Sequence, residues 1–203
     1  MLIKERAEEL IEFYALFLDN AKEFIITCDK SSVEKNNAWV MLNQTQRLIY
    51  LADNADKIKQ SRDAFKVLFL IICAEVIAKL YKNFEDEGES KKYVKIFFEE
   101  ICSLEDFNSL SGAIITDKPK SPTVLSSSEF VDFMYDVRCS LVHEGRYWEF
   151  SFKDESKLGP FFWCCFAKTE ATVVVGITYQ KLRNIIVKGA IRAIQMYLSN
   201  KNE

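Results

Sequence analysis

Apolar residues at Leu10, Phe13, Tyr14, Phe17, Ala21, Phe24 and Ile25 recur three and four apart. That rhythm predicts an amphipathic helix over 4–27. Ser31-Ser32 interrupts it, and a second helix is predicted over 33–52, so that the chain opens with a helical hairpin. A long helix follows over 56–84, with Ser61 as an interruption near its start. Its stretch from 64 to 81 is broken only by Lys66, Glu75 and Lys79. A helix apolar on nearly all sides belongs at the centre of a fold. A polar turn over 85–90 ends it, and 91–102 reads as a shorter helix.

Residues 105–127 hold Gly112, Pro119, Pro122 and the Ser126–Ser128 run, and read as a loop of unusual length. Ser128 is the expected N-cap of the next helix, with Glu129 in its first turn. That helix runs through His143 and stops at Gly145. Its apolar face is Phe130, Phe133, Met134, Val137 and Leu141, with Arg138 on the border and His143 pointing nearly away. A second stripe of Val131, Tyr135, Arg138 and Val142 is available to pack on a two-fold mate. Beyond Gly145 the period changes. Trp148, Phe150 and Phe152 alternate with polar residues, and 161–167 and 172–177 are β-rich, so a small antiparallel sheet or hairpin is expected at about 147–177. Thr178 caps a closing helix to about Ser199, and the chain shows no internal repeat.

Composition narrows the function classes. The 203 residues suit one domain, or a domain with a sizeable extension, and few Gly and Pro argue against low-complexity segments. Charges in the opening residues argue against a signal peptide, and no uninterrupted apolar run is long enough for a membrane helix. The chain reads as cytoplasmic, with no membrane contact. Six scattered cysteines (28, 73, 102, 139, 164, 165) form no C-x-x-C pair, and with one histidine no zinc-ligand spacing arises. Buried, reduced thiols are expected, with no metal and no cofactor. Nor is there a Gly-rich phosphate loop or a nucleophile elbow. The net charge of −3 gives no overall basic field. Yet no acid stands between Glu170 and Glu203, whereas Lys181, Arg183, Lys188, Arg192 and Lys201 do.

The candidate chemistry lies in Tyr135-Asp-Val-Arg138-Cys-Ser-Leu-Val-His143-Glu-Gly145. Imidazole is the side chain whose ordinary pKa lies nearest neutrality, and His143 is the chain's single histidine. Arg138 adds a permanent planar cation suited to phosphate. Residues five apart differ by about 140° around a helix and about 7.5 Å along it. The two therefore converge only if the last turn unwinds or a second subunit brings its copy alongside.

A buried helix, a connecting segment, a helix ending Arg138-x4-His143-Glu144-Gly145 and a closing helix together resemble the HEPN superfamily, most of all its Apea-like branch. The resemblance covers about 56–200. It implies an antiparallel four-helix bundle (residues 54–203), with residues 1–53 as an N-terminal extension and the β-rich segment as an insertion. Active HEPN proteins are metal-independent endoribonucleases whose two subunits share one composite site; other members only bind or assemble. The implied reaction is attack of a ribose 2′-hydroxyl on the adjacent phosphate, with His143 as general acid or base and Arg138 stabilising the phosphoryl oxygens. Glu75, Cys139, Glu144 and Tyr147 are the supporting residues on this reading. The partners it implies are RNA, a second copy of the chain, and an antitoxin or other protein. Cys139 stands where active nucleases often carry Asn, Asp or His, and Gly145 stands where one toxin–antitoxin subgroup carries a modifiable tyrosine.

Each of these residues also has a plainer role. His143 suits the C-terminus of a helix. Glu75 pairs more simply with Lys79, four residues on, than with Arg138. Lys181, Lys188 and Arg192 lie on one line of the closing helix and either track RNA or form its solvated side, the commoner case. The aromatics at 148–163 are more often sheet core than a base-stacking platform.

Overall fold

A computed structural model describes residues 2–30, 37–58, 63–84, 88–111, 114–117, 123–146, 150–153, 163–165 and 172–200. For 2–5, 114–117, 123, 163–165 and 172–174 it describes the backbone course alone. The described chain is mainly helical. In order come α1 (Leu2–Ala15), α2 (Ala21–Lys30), α3 (Asn37–Asp53), α4 (Ala55–Ile58), α5 (Asp63–Tyr81) and α6 (Ser90–Ile96). A π-helical turn (Phe97–Ile101), α7 (Leu104–Asn108), β1 (Ile114–Asp117) and β2 (Thr123–Val124) follow. The chain continues with α8 (Ser127–Glu144), β3 (Trp163–Cys165), β4 (Thr172–Val175) and α9 (Tyr179–Asn200). No described helix is long and apolar enough to cross a membrane.

The apolar helix predicted at the centre is there. α5 packs against α3, α6, α8, α9 and the π-helical turn, with Leu70, Ile71 and Ile77 wholly buried. Burying each such side chain stabilises the fold by about 1.5–3 kcal/mol. One apolar cluster extends from Leu10 on α1 to Tyr197 on α9.

The first predicted helix is divided in two. The Tyr14 carbonyl accepts from the amides of both Phe17 and Leu18 (2.9 Å each), and helical bonding resumes from the Asn20 carbonyl to the Phe24 amide (3.1 Å). Asp19 and Asn20 favour such breaks because their side chains compete for backbone groups. Leu16, at the break, is 74% exposed. The interruptions foreseen at Ser31-Ser32 and Ser61 and half of the polar turn after α5 lie outside the described residues.

The segment read as a long loop contains regular elements. It holds α7 and two strands, and these join β3 and β4 in an antiparallel sheet of order β2-β1-β4-β3. Ile115 stands between Val124 and Val174, and Cys164 faces Val173. Strands of two and four residues between glycine and prolines carry too little alternation to be read from sequence. Of the alternating strand expected around Phe150 and Phe152, the described residues 150–153 form no strand. Both rings are buried; Phe150 lies 6.2 Å from Phe133, and Phe152 lies 5.7 Å from Tyr179. Those two aromatics are core and no stacking platform, while Trp148 and the side chains of Phe161–Trp163 lie outside the described residues.

The π-helical turn matters for packing. Its widened loop, closed by the Cys102 amide on the Phe97 carbonyl (2.9 Å), turns Phe97, Phe98 and Ile101 all inward. α9 passes closely over it at Gly189, where a Cβ would sit 2.7 Å from Phe97 Cζ and 2.9 Å from Cys102 Sγ. Phe97 is wholly buried, so a shift of its ring must be taken up by the core around it. Gly189→Ala is expected to destabilise the protein by about 1–3 kcal/mol through overpacking. Urea unfolding checks this: the midpoint should fall with the slope unchanged, and an unchanged midpoint refutes the close approach.

Candidate functional site

α8 begins at a capping box. The Ser126 hydroxyl accepts from the Glu129 amide (3.3 Å), and the Glu129 carboxylate accepts from the Ser126 amide (2.8 Å). The cap is therefore Ser126, two residues before the expected Ser128, whose hydroxyl instead donates to Glu99 on the π-helical turn (2.8 Å). Three successive serines leave the choice to the reciprocal partner, and only Ser126 has Glu129 three residues on. The far end matches expectation. Gly145 adopts a left-handed φ of 66°, its amide bonds the Leu141 carbonyl (3.1 Å), and the Arg146 amide bonds that of Ser140 (3.3 Å). The helix is thus regular through His143.

The helix phase separates the motif residues. Phe130, Phe133, Met134, Val137 and Leu141 are all buried, as their spacing predicts. Of the second stripe, Val131 is buried within its own subunit and Val142 is 51% exposed, so the stripe is not a free face for a mate. Arg138 is mostly buried. Its Nη2 lies 3.8 Å from Glu75 Oε2, its Nη1 3.9 Å from Cys139 Sγ, and its guanidinium carbon 5.6 Å from the Tyr135 ring centre. Its Nε is buried and has no hydrogen-bond partner among the described residues. His143 is exposed. Because the last turn stays wound, unwinding does not bring the two together within one subunit.

Glu75, 7% exposed, serves both roles weighed for it. Its Oε1 accepts from Lys79 Nζ (2.6 Å) and from Ser90 Oγ (2.7 Å), the tighter contacts, and Oε2 faces Arg138. Cys139 is half-buried, Glu144 is exposed and pairs with Arg146 (2.9 Å), and Tyr147 lies outside the described residues. Burial pushes the Tyr135 phenol above its ordinary pKa, and Cys139 adds to the effect. Among the described cysteines, Cys28, Cys73 and Cys102 are buried thiols outside any disulfide, and burial lifts Cys28 and Cys73 to about 12. No group of described residues has the make-up to hold a metal ion.

Lys181, Lys188 and Arg192 are exposed along α9, but Lys181 Nζ donates to the Ser109 carbonyl at the end of α7 (2.9 Å). α9 packs chiefly on α3, α5 and the π-helical turn, whereas α8 packs on α5 and α6. Two cations of α6 do reach α8: Lys91 and Lys95 pair with Asp132 (3.0 and 3.1 Å), and Lys91 lies 5.9 Å from the Tyr135 ring centre. A shallow hollow of about 640 Å³ opens between α1 and α3, lined by Glu9, Glu12, Phe13, Gln46, Arg47 and Tyr50, away from the motif.

A second polar cluster escaped sequence reasoning. Arg183, 8% exposed, grips Asp53 with Nε and Nη2 (2.8 and 2.9 Å), and the Tyr179 hydroxyl donates to the same carboxylate. Burial, with Asp53 close by, drives the Tyr179 phenol far above its ordinary range. Arg183 shares a helix face with Val187, Ala190 and Ile194, all buried. A lone cation in an apolar stripe was the available signal.

No protein-family model matches the chain, and neither a curated protein nor a solved structure matches it.

Two measurements check these pairings. Asp53→Ala leaves the Arg183 cation buried alone and should cost about 3 kcal/mol in urea unfolding, most of it recovered by Asp53→Leu with Arg183→Met. Equal losses in both variants would show that the pair itself is not what matters. For Asp132, burial alone would raise the carboxyl, but the Lys91 and Lys95 hydrogen bonds outweigh it and hold the group below its ordinary value. Its contribution is thus present above the unfolded value of about 3.9 and lost as pH falls through the folded one. Asp132→Asn should flatten the acid side of the stability–pH curve; a superimposable curve refutes the pairing.

Proposed function

We propose that the chain is a metal-independent endoribonuclease of HEPN type that acts as a homodimer, built on a HEPN-like helical bundle. The observation that carries this reading is the unlike environment of two residues on one helix. Arg138 is held at the edge of the core by Glu75, while His143 stands exposed at the capped end. A fixed cation suits the charge that develops on a phosphoryl group, and an exposed imidazole suits proton transfer to and from a ribose hydroxyl. Since α8 stays wound through His143, a complete site needs the motif turns of two subunits, meeting across an isologous contact.

The reaction would start when one His143 takes the 2′-hydroxyl proton and the oxygen attacks the adjacent phosphorus. The P–O5′ bond then breaks, the 5′-oxygen takes a proton from the second imidazole or from water, and a 2′,3′-cyclic phosphate and a 5′-hydroxyl remain. Glu75 keeps the guanidinium oriented, and antitoxin control, stress response and phage defence are the settings such an activity would fit. A non-catalytic HEPN module that binds nucleotide, RNA or protein is the second reading, favoured by Cys139 beside Arg138 and by the extent to which Arg138 is already engaged.

Purified protein incubated with mixed RNA and EDTA separates the two. Cleavage is expected, falling by about 10²–10⁴-fold in His143→Ala. Arg138→Ala should lose activity as well, and the rate per subunit should drop on dilution below the dimer's dissociation constant. Intact RNA with well-folded wild type over a broad panel, or full activity in a strict monomer, overturns the proposal.

A further inference from the structure

We infer that single-stranded RNA is held on the α6–α8 face, by Lys91 and Lys95 with the Tyr135 ring, and not by the basic row of α9. This rests on the RNA reading above and names where the strand lies.

The argument starts from helix phase. Asp132 and His143 are eleven residues apart on the regular helix α8, which places them within about 20° around its axis and about 16 Å along it. The carboxylate that draws Lys91 and Lys95 thus marks the same side of α8 as the imidazole. Both lysines come from α6, and Lys91 is 48% exposed. Between Asp132 and His143 on the helix lies Tyr135, with the Lys91 ammonium 5.9 Å and the Arg138 guanidinium 5.6 Å from its ring centre. Spaced cations beside an aromatic face suit a backbone of phosphates with bases to stack. An acidic peptide would use the cations but leave the ring without a role.

The α9 row lacks this relation to the motif. Its helix packs on α3, α5 and the π-helical turn, and Lys181 is already engaged by the Ser109 carbonyl. Asp132 therefore acts as a competitor: in the free protein it occupies the lysines that a phosphate would take. Asp136, exposed on the same outer side, adds a second negative charge. Affinity in the native chain is accordingly weak and strongly dependent on salt.

The probe is a labelled 2′-O-methyl single-stranded oligonucleotide, which lacks the attacking hydroxyl, bound to the native protein and to folded variants at several salt concentrations. Lys91→Ala with Lys95→Ala should weaken binding about tenfold and reduce the salt slope by about 1.4, the value for two phosphate contacts on a single strand. Asp132→Asn should tighten binding by about three- to tenfold, because it frees both lysines. A gain of affinity is not an outcome of misfolding. Tyr135→Ala should weaken binding with the salt slope kept. Lys188→Ala with Arg192→Ala should change little. Loss on the α9 variant with none on the α6 variant overturns the inference, as does a native preference for polyglutamate over the oligonucleotide. If the α6 variants act as stated but no RNA is ever cut, the nuclease reading fails and this inference stands. If RNA is cut but the α6 and Asp132 variants bind as the native chain does, this inference fails alone.

Discussion

A carboxylate set into the most apolar helix of a fold must be compensated, and the way Glu75 is compensated ties three helices together. Leaving it unpaired in the interior would cost several kcal/mol. Lys79 meets it from the next turn of α5, Ser90 from the start of α6, and Arg138 from the middle of α8. The three donors do unequal work. Lys79 and Ser90 satisfy one oxygen at short range, so the charge is already offset before α8 contributes. The longer contact to Arg138 is then a restraint on where the guanidinium sits more than a source of stability. The Nε of that restrained cation is buried and has no hydrogen-bond partner among the described residues.

The same compensation shows why some of this molecule is legible in its sequence. Long elements with strong periodicity were readable: the apolar run of α5, the inward face and Gly145 stop of α8, and the Thr178 cap of α9, where the Lys181 amide meets the Thr178 hydroxyl at 3.2 Å. Each is decided by residues close together in the chain. The misses share a different cause. The break at 16–20 and the cap at Ser126 depended on which of several adequate polar residues takes the backbone, and for the cap the reciprocal bond from Glu129 decides. β1 and β2 are too short to carry a period, and β1 exists because β4, some sixty residues later, completes its ladder. Glu75 was legible as a residue in need of a partner, but not as one with partners on three helices.

The Asp53–Arg183–Tyr179 cluster is the extreme of that second kind. Tyr179 and Arg183 stand 126 and 130 residues from Asp53, so the lone cation in the apolar stripe of α9 marks Arg183 but nothing local names its partner. It fastens the end of α3 to the start of α9, while Thr45 and Tyr14 satisfy their hydroxyls on the Met41 and Leu42 carbonyls deeper in α3. The guanidinium also lies within 6 Å of the Phe13 and Phe17 ring centres, which brings α1 and the turn after it to the same point. Among the described residues, the N-terminal helices thus reach the rest of the chain through a shared apolar core, the grip of buried Arg183 on Asp53, and the Asn37 side-chain amide, which donates to the Leu80 carbonyl and to Asn83.

Helix phase remains as the constraint that sorts chemistry on α8. A spacing of five residues is an awkward one for two groups meant to touch, since it leaves them about 140° apart. It is a good one for two groups meant to differ in environment, one held against the core and one free in water. The capped last turn preserves that division instead of relaxing it. Lys91 and Lys95, drawn to Asp132, meet α8 on the flank beside α6, which helix phase puts in line with the imidazole and not with the core face. A helix that keeps its cation restrained on one flank and its titratable group on another cannot complete a site alone. On the proposed reading, the second subunit is therefore a geometric requirement of the spacing itself.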